Sequence, residues 1–76
     1  MNRIAEYRKF ELRARPLPLK DGRWTTEVHI RRNNAVRPYY AANTYETEKD
    51  AINGCFEFGR RIIDGGIPEF SLGDLP

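Results

Sequence analysis

Cys55 and His29 are the only cysteine and the only histidine in the chain, and they are its one conventional pairing of nucleophile and base. A thiolate mechanism needs the base within hydrogen-bond reach, about 3 Å. The pattern around the two residues argues against that: Cys55 falls on the apolar side of a predicted helix, facing a sheet, and His29 falls on the opposite face of that sheet. Cys55 therefore reads as a small core residue, and His29 as a solvated strand residue or a binding residue. One cysteine and one histidine build neither an internal disulfide nor a structural zinc site. Glu11 and Glu27 are the other candidates, as cross-strand neighbours set among arginines, but this is the pattern of an exposed Arg–Glu ladder. Gly65-Gly66 closes a helix, whereas a phosphate loop opens one. Trp24 begins an apolar strand face, where core packing is the simpler reading than ligand stacking. These residues specify no catalytic group, cofactor or small-molecule substrate.

One constellation remains. With three strands paired in order, the outer sheet face gathers Lys9, Glu11, Arg13, Arg15, Glu27, His29, Arg31, Arg37 and Tyr39. Arginines with an interleaved tyrosine can hold phosphates and stack on bases, which makes Arg13, Arg15, His29, Arg31, Arg37 and Tyr39 candidate nucleic-acid contacts. The plainer alternative is the solvated face that any sheet covered on one side must have. A third reading is a docking surface for another protein or a second copy, at this face or along the edge near Pro38.

Positioning these residues requires a sheet and one helix. Phe10, Leu12 and Ala14 alternate with Lys9, Glu11, Arg13 and Arg15, a period of two that predicts a strand over about 7–15. Pro16-Leu17-Pro18-Leu19 reads as an extended, edge-like segment. Lys20-Asp21-Gly22-Arg23 reads as a turn with Asp-Gly supplying positive φ. The second strand spans Trp24 to Arg32, with Trp24, Thr26, Val28 and Ile30 on one face and Thr25, Glu27, His29 and Arg31 on the other. Asn33-Asn34 is a second turn. The third strand, about 36–42, is expected to put Val36, Pro38, Tyr40 and Ala42 on one side and Arg37, Tyr39, Ala41 and Asn43 on the other. Pro38 marks it as an edge strand or a bulge.

The helix starts at Thr47, whose hydroxyl suits an N-cap, with Glu48 and Asp50 at the positive end of its dipole. It ends at Asp64-Gly65-Gly66, with Pro68 beyond. Ala51, Ile52, Cys55, Phe56, Phe58, Gly59, Ile62 and Ile63 share one side, an amphipathic pattern. A glycine in mid-helix costs about 1 kcal/mol against alanine, so Gly59 predicts close approach to the sheet. Expected core residues are Trp24, Val28, Ile30, Ile52, Cys55, Phe56, Gly59 and Ile62.

A chain of 76 residues accommodates one domain, here 1–66 with a tail at 67–76, and at this size only about 60% of the unfolded surface is buried. Net stability is expected to be about 3–5 kcal/mol. Residues 1–43 hold ten Lys/Arg against four Asp/Glu, and residues 44–76 hold three against seven. A basic sheet half and an acidic helical half either steer partners or attract each other within the fold. There is no apolar run of signal-peptide or membrane-span length. With the lone cysteine, this gives a reduced cytoplasmic setting as the default expectation.

Gly22-Arg23-Trp24, the alternating strand and the start Tyr45-Glu46-Thr47-Glu48-Lys49-Asp50-Ala51 together resemble the three-strand-plus-helix DNA-binding domains of plant ethylene-response factors and of phage integrase arm-binding modules. The likeness covers about residues 22–63. It implies DNA contact through the outer sheet face by Arg13, Arg15, Arg31 and Arg37. The layout is also similar to HicB-type antitoxins, which share the Thr-x-x-x-Ala helix start, and to short bacterial proteins of this architecture. The expectation is thus an α+β domain, β-β-β-α. Its function is expected to be a non-catalytic interaction module, binding nucleic acid through the basic face or, alternatively, a protein partner or itself.

Overall fold

The computed structural model describes residues 2–66; the expected tail at 67–76 lies outside the described residues. The α+β expectation holds, with a four-stranded antiparallel sheet in place of three strands. β1 spans Ile4–Tyr7, β2 Phe10–Ala14, β3 Trp24–Arg32, β4 Ala35–Tyr45 and α1 Glu48–Ile63. The strands lie in sequence order, so β1 and β4 are the two edges.

The added strand comes from a turn inside the segment expected to be one strand. Arg8 and Lys9 adopt φ of 51° and 70°, and Tyr7 pairs with Phe10 across them. Two consecutive positive φ values make the tight loop whose twist suits a hairpin. Left-handed backbone costs a residue with a Cβ roughly 1 kcal/mol, and nearby contacts offset it: the Tyr7 hydroxyl donates to Asp64 Oδ2 at 2.8 Å, and Arg8 Nε lies 3.3 Å from Asp64 Oδ1. Lys9→Gly should therefore stabilise the domain by about 0.5–1 kcal/mol, read as a rise in the urea midpoint at unchanged slope. A lower midpoint would mean that Lys9 makes contacts that outweigh its backbone strain.

The β2–β3 hairpin runs further than its regular strands. Thr25 N donates to Leu17 O at 2.9 Å and Leu19 N to Arg23 O at 2.7 Å, around a loop closed by Gly22 N to Leu19 O at 3.0 Å. Gly22, at φ +87°, takes the one loop position that disfavours a side chain. Pro16 and Pro18 cost no ladder bond. Arg15, Leu17 and Leu19 direct their polar groups across the hairpin, so the two prolines between them point theirs away. The same alternation turns the nitrogen of Pro38 to the open edge of β4.

Asn33, at φ +57°, and Asn34 form a two-residue loop between Arg32 and Ala35, which pairs Ile30 with Arg37 and Val28 with Tyr39. Cross-strand partners share a face, so Arg37 and Tyr39 lie on the helix side. This corrects the expected facing of the last strand. Tyr39 is buried, while Val36 and Tyr40 are exposed on the outside. A register shift near Trp24 and Thr26 interrupts the far end of this pair, and the buried Thr26 hydroxyl donates to Asn43 O there at 2.7 Å.

Helix α1 is capped by Thr47, whose Oγ1 accepts from Asp50 N at 3.1 Å. Ala51, Ile52, Cys55, Phe58, Gly59 and Ile62 of the helix are buried. They pack on Phe10, Leu12, Ala14, Val28, Ile30 and Tyr39. A Cβ on Gly59 would stand 3.1 Å from Leu12 and 3.2 Å from Val28, which is the close approach the glycine predicted. Two expected core residues are only half-buried: Trp24, at the sheet end beside the register shift, and Phe56, on the flank of the helix stripe.

Candidate sheet interface

The outer face is built in rows by the register. Glu6, Glu11, Arg31 and Val36 form one row, and Ile4, Arg13, His29 and Pro38 the next. Arg15, Glu27 and Tyr40 form a third, with Arg15 N donating to Glu27 O at 3.0 Å. Leu17 and Leu19 continue the outward positions of the hairpin toward its tip. Of the six sequence candidates, Arg13, Arg15, His29 and Arg31 are together on this face. Arg37 and Tyr39 are not: Tyr39 is 5% exposed on the helix side, where burial raises its phenol pKa and the charge of Arg37 pulls it back down. Lys9 sits at the hairpin tip rather than on the face.

The charges on the face are largely engaged with one another. Glu11 Oε2 lies 3.5 Å from Arg13 and 3.7 Å from Arg31. His29 Nε2 lies 2.5 Å from Glu27 Oε2. Glu6 stands directly opposite Glu11. Three arginines thus share the face with three glutamates, so the basic excess of residues 1–43 is not concentrated here. Part of it is spent elsewhere: Arg3 pairs with Glu48, Arg8 with Asp64, and Arg23 bonds Thr44 at 2.6 Å. Arg32 lies over the Phe10 ring at 5.1 Å.

What the sequence reading missed is apolar. Ile4, Leu17, Leu19, Val36 and Tyr40 are the exposed large hydrophobic residues among those described, and all five belong to outward positions of the same sheet face. With Pro38, Val36 and Tyr40 make a continuous strip along β4. The alternation was visible in the sequence, but on the wrong side of the strand.

Cys55 and His29 lie on opposite faces of the sheet. Cys55 is fully buried, and its thiol pKa is raised by burial, with backbone hydrogen bonding from Glu27 and Arg15 acting the other way. No group of three or more metal-ligating side chains is assembled among the described residues, and no helix of the described part is long and apolar enough to cross a membrane. Comparisons with family models, with curated proteins and with solved structures give no match.

Proposed function

We propose that this protein is a small non-catalytic interaction module whose outer sheet face docks another protein surface. The observation that carries the reading is the exposed apolar strip of Val36, Pro38 and Tyr40 along β4, on the face that also carries Ile4, Leu17 and Leu19, the other exposed large apolar side chains among the described residues, beside arginines already balanced by glutamates. Singly scattered apolar side chains are ordinary on a monomer, whereas a contiguous strip such as the one along β4 marks an interaction surface. The face serves this role better than the β4 edge. Pro38 offers no N–H to an incoming strand, and the register shift interrupts regular pairing beyond Ala41, two features that blunt edge-to-edge pairing.

Nucleic-acid binding, which the DNA-binding resemblance implies, is the competing reading. It retains Arg13, Arg15, Arg31 and His29 but has lost Arg37 and Tyr39 from the face, and Glu6, Glu11 and Glu27 repel phosphates. An NMR titration with mixed single-stranded and duplex oligonucleotides at low salt separates the two. Docking predicts no shifts at about 100 μM protein, where non-specific binders with Kd of roughly 10⁻⁴–10⁻⁶ M respond. Shifts confined to the Arg13, Arg15 and Arg31 amides and abolished by salt would replace the docking reading with a nucleic-acid one. A photo-cross-linker at Val36 supplies the positive arm. It should capture protein, while the same group at exposed Asn53 on the helix should not.

A further inference from the structure

The docking reading leaves the partner open, and the pattern on the face narrows it. We infer that the partner is a second copy of this chain, docked sheet to sheet about a two-fold axis that lies along the row Ile4–Arg13–His29–Pro38. This rests on the docking reading and deepens it.

The inference follows from what that rotation does to the rows on either side of the axis. It carries the Glu6–Glu11–Arg31–Val36 row of one copy onto the Arg15–Glu27–Tyr40 row of the other. On β3, Arg31 then meets Glu27 of the second copy. On β2, Glu11 meets Arg15. On β4, Val36 meets Tyr40, so apolar covers apolar. Each pairing occurs twice, as an isologous interface requires. Along the axis Ile4 and Pro38 meet their own copies. Arg13 and His29 also face themselves, each with a glutamate of its own chain beside it, Glu11 3.5 Å from Arg13 and Glu27 2.5 Å from His29. Aligned sheets cross at about 30° and pack about 10 Å apart, which keeps these near-axis positions within side-chain reach.

Charge selects this partner over a polyanion or a strongly acidic or basic protein. A face with equal numbers of arginine and glutamate has no net sign to offer such partners, whereas its alternation is complementary to its own rotated image. Size is adequate for a modest dimer. Strands about 4.8 Å apart and residues about 3.3 Å along each strand give roughly 450 Å² per copy for the whole sheet face, a little over half the ~800 Å² per partner of a standard interface and in the range of weak, transient contacts. Ordering costs consume part of such an area, so a weak dimer that forms at high protein concentration is expected.

Sedimentation of the full chain from about 10 to 500 μM should show a monomer–dimer equilibrium. Arg31→Glu sets two acidic side chains against each other across the axis, and Glu27→Arg sets two basic ones. Each variant alone should dimerise at least about tenfold more weakly. An equimolar mixture of the two should recover the dimer, because each supplies the charge the other lacks. Tyr40→Glu should also give a monomer, and far-UV circular dichroism and thermal melts confirm that each variant is folded. A wild-type chain that is monomeric at the highest concentration overturns the second-copy inference. So does a mixture no better than its components, or a dimer indifferent to Tyr40→Glu. In a strict monomer, Val36 cross-links to a different protein would keep the docking reading while ending this one, and cross-links to residues 67–76 of the same chain would assign the face to the chain's own tail. Oligonucleotide-induced shifts at the face would end both.

Discussion

Gly59→Leu is expected to remove roughly half of the domain's stability, lowering its melting temperature by about 4–8 °C for each kcal/mol lost. The position is buried, and a bare Cβ would already stand 3.1 Å and 3.3 Å from the two Leu12 methyl groups and 3.2 Å from a Val28 methyl. Three further carbons have no void to enter, because Leu12 and Val28 are themselves fully buried in the sheet layer. Overpacking of this kind costs about 1–3 kcal/mol and occasionally more, against a total of about 3–5 kcal/mol for a domain of this size. Gly59→Ala makes the useful contrast. It gains roughly 1 kcal/mol of helix propensity and meets contacts that a few tenths of an ångström of movement would relieve, so its melting temperature should stay near the wild-type value. A leucine variant that melts like the wild type would mean that α1 can shift away from β2 and β3 without loss, contrary to the packing seen here.

The same contact shows how much of the fold could be read from the residues. A glycine centred on an apolar helical stripe has few reasons to exist other than close approach, so the helix, its stripe and its contact with the sheet were all legible. The capped ends were legible as well, since Thr47 and Gly65-Gly66 carry local chemistry that depends little on tertiary context. β1 was not. Its boundary is a hairpin made by Arg8 and Lys9, neither of which belongs to the residue types that favour positive φ, and what holds the hairpin is Asp64, 55 or more residues away in sequence.

The facing of β4 is a different kind of miss, because the information was present. Asn33-Asn34 read as a turn, and a two-residue loop there forces Arg32 opposite Ala35 and hence Tyr39 opposite Val28. Register then outranks hydropathy. Val36, Pro38 and Tyr40 are apolar enough to suggest the core, yet the loop sends them outward and takes Arg37 and Tyr39 inward. The basic face lost two of its six candidates by that arithmetic, and gained in their place the apolar strip on which the docking reading rests.

Cys55 should be almost inert in the native state. It is fully buried between α1 and the β2–β3 ladder, and burial raises its thiol pKa above the ordinary 9.0, so the reactive thiolate forms only when the helix leaves the sheet. Alkylation by a small reagent near pH 8 should then run about 10²–10⁴ times slower than in the urea-unfolded chain, the factor set by an opening free energy of about 3–5 kcal/mol. The sign of the pH dependence follows from the same shift. With its folded pKa above the unfolded one, the thiol contributes stability that is fully present below pH 9.0 and is lost as pH rises through the folded value. Tyr39, raised from 10.0 by burial with Arg37 opposing, adds to that loss at higher pH. Protection should therefore hold constant from neutrality to about pH 8.5 and fall beyond it, after correction for the thiolate fraction of the unfolded chain. Labelling at the rate of a free thiol at pH 7–8 would mean that local opening exposes Cys55 without global unfolding. It would also place the α1–sheet contact among the weakest in the molecule, which the 0% exposure of Leu12, Val28 and Ala51 around it argues against.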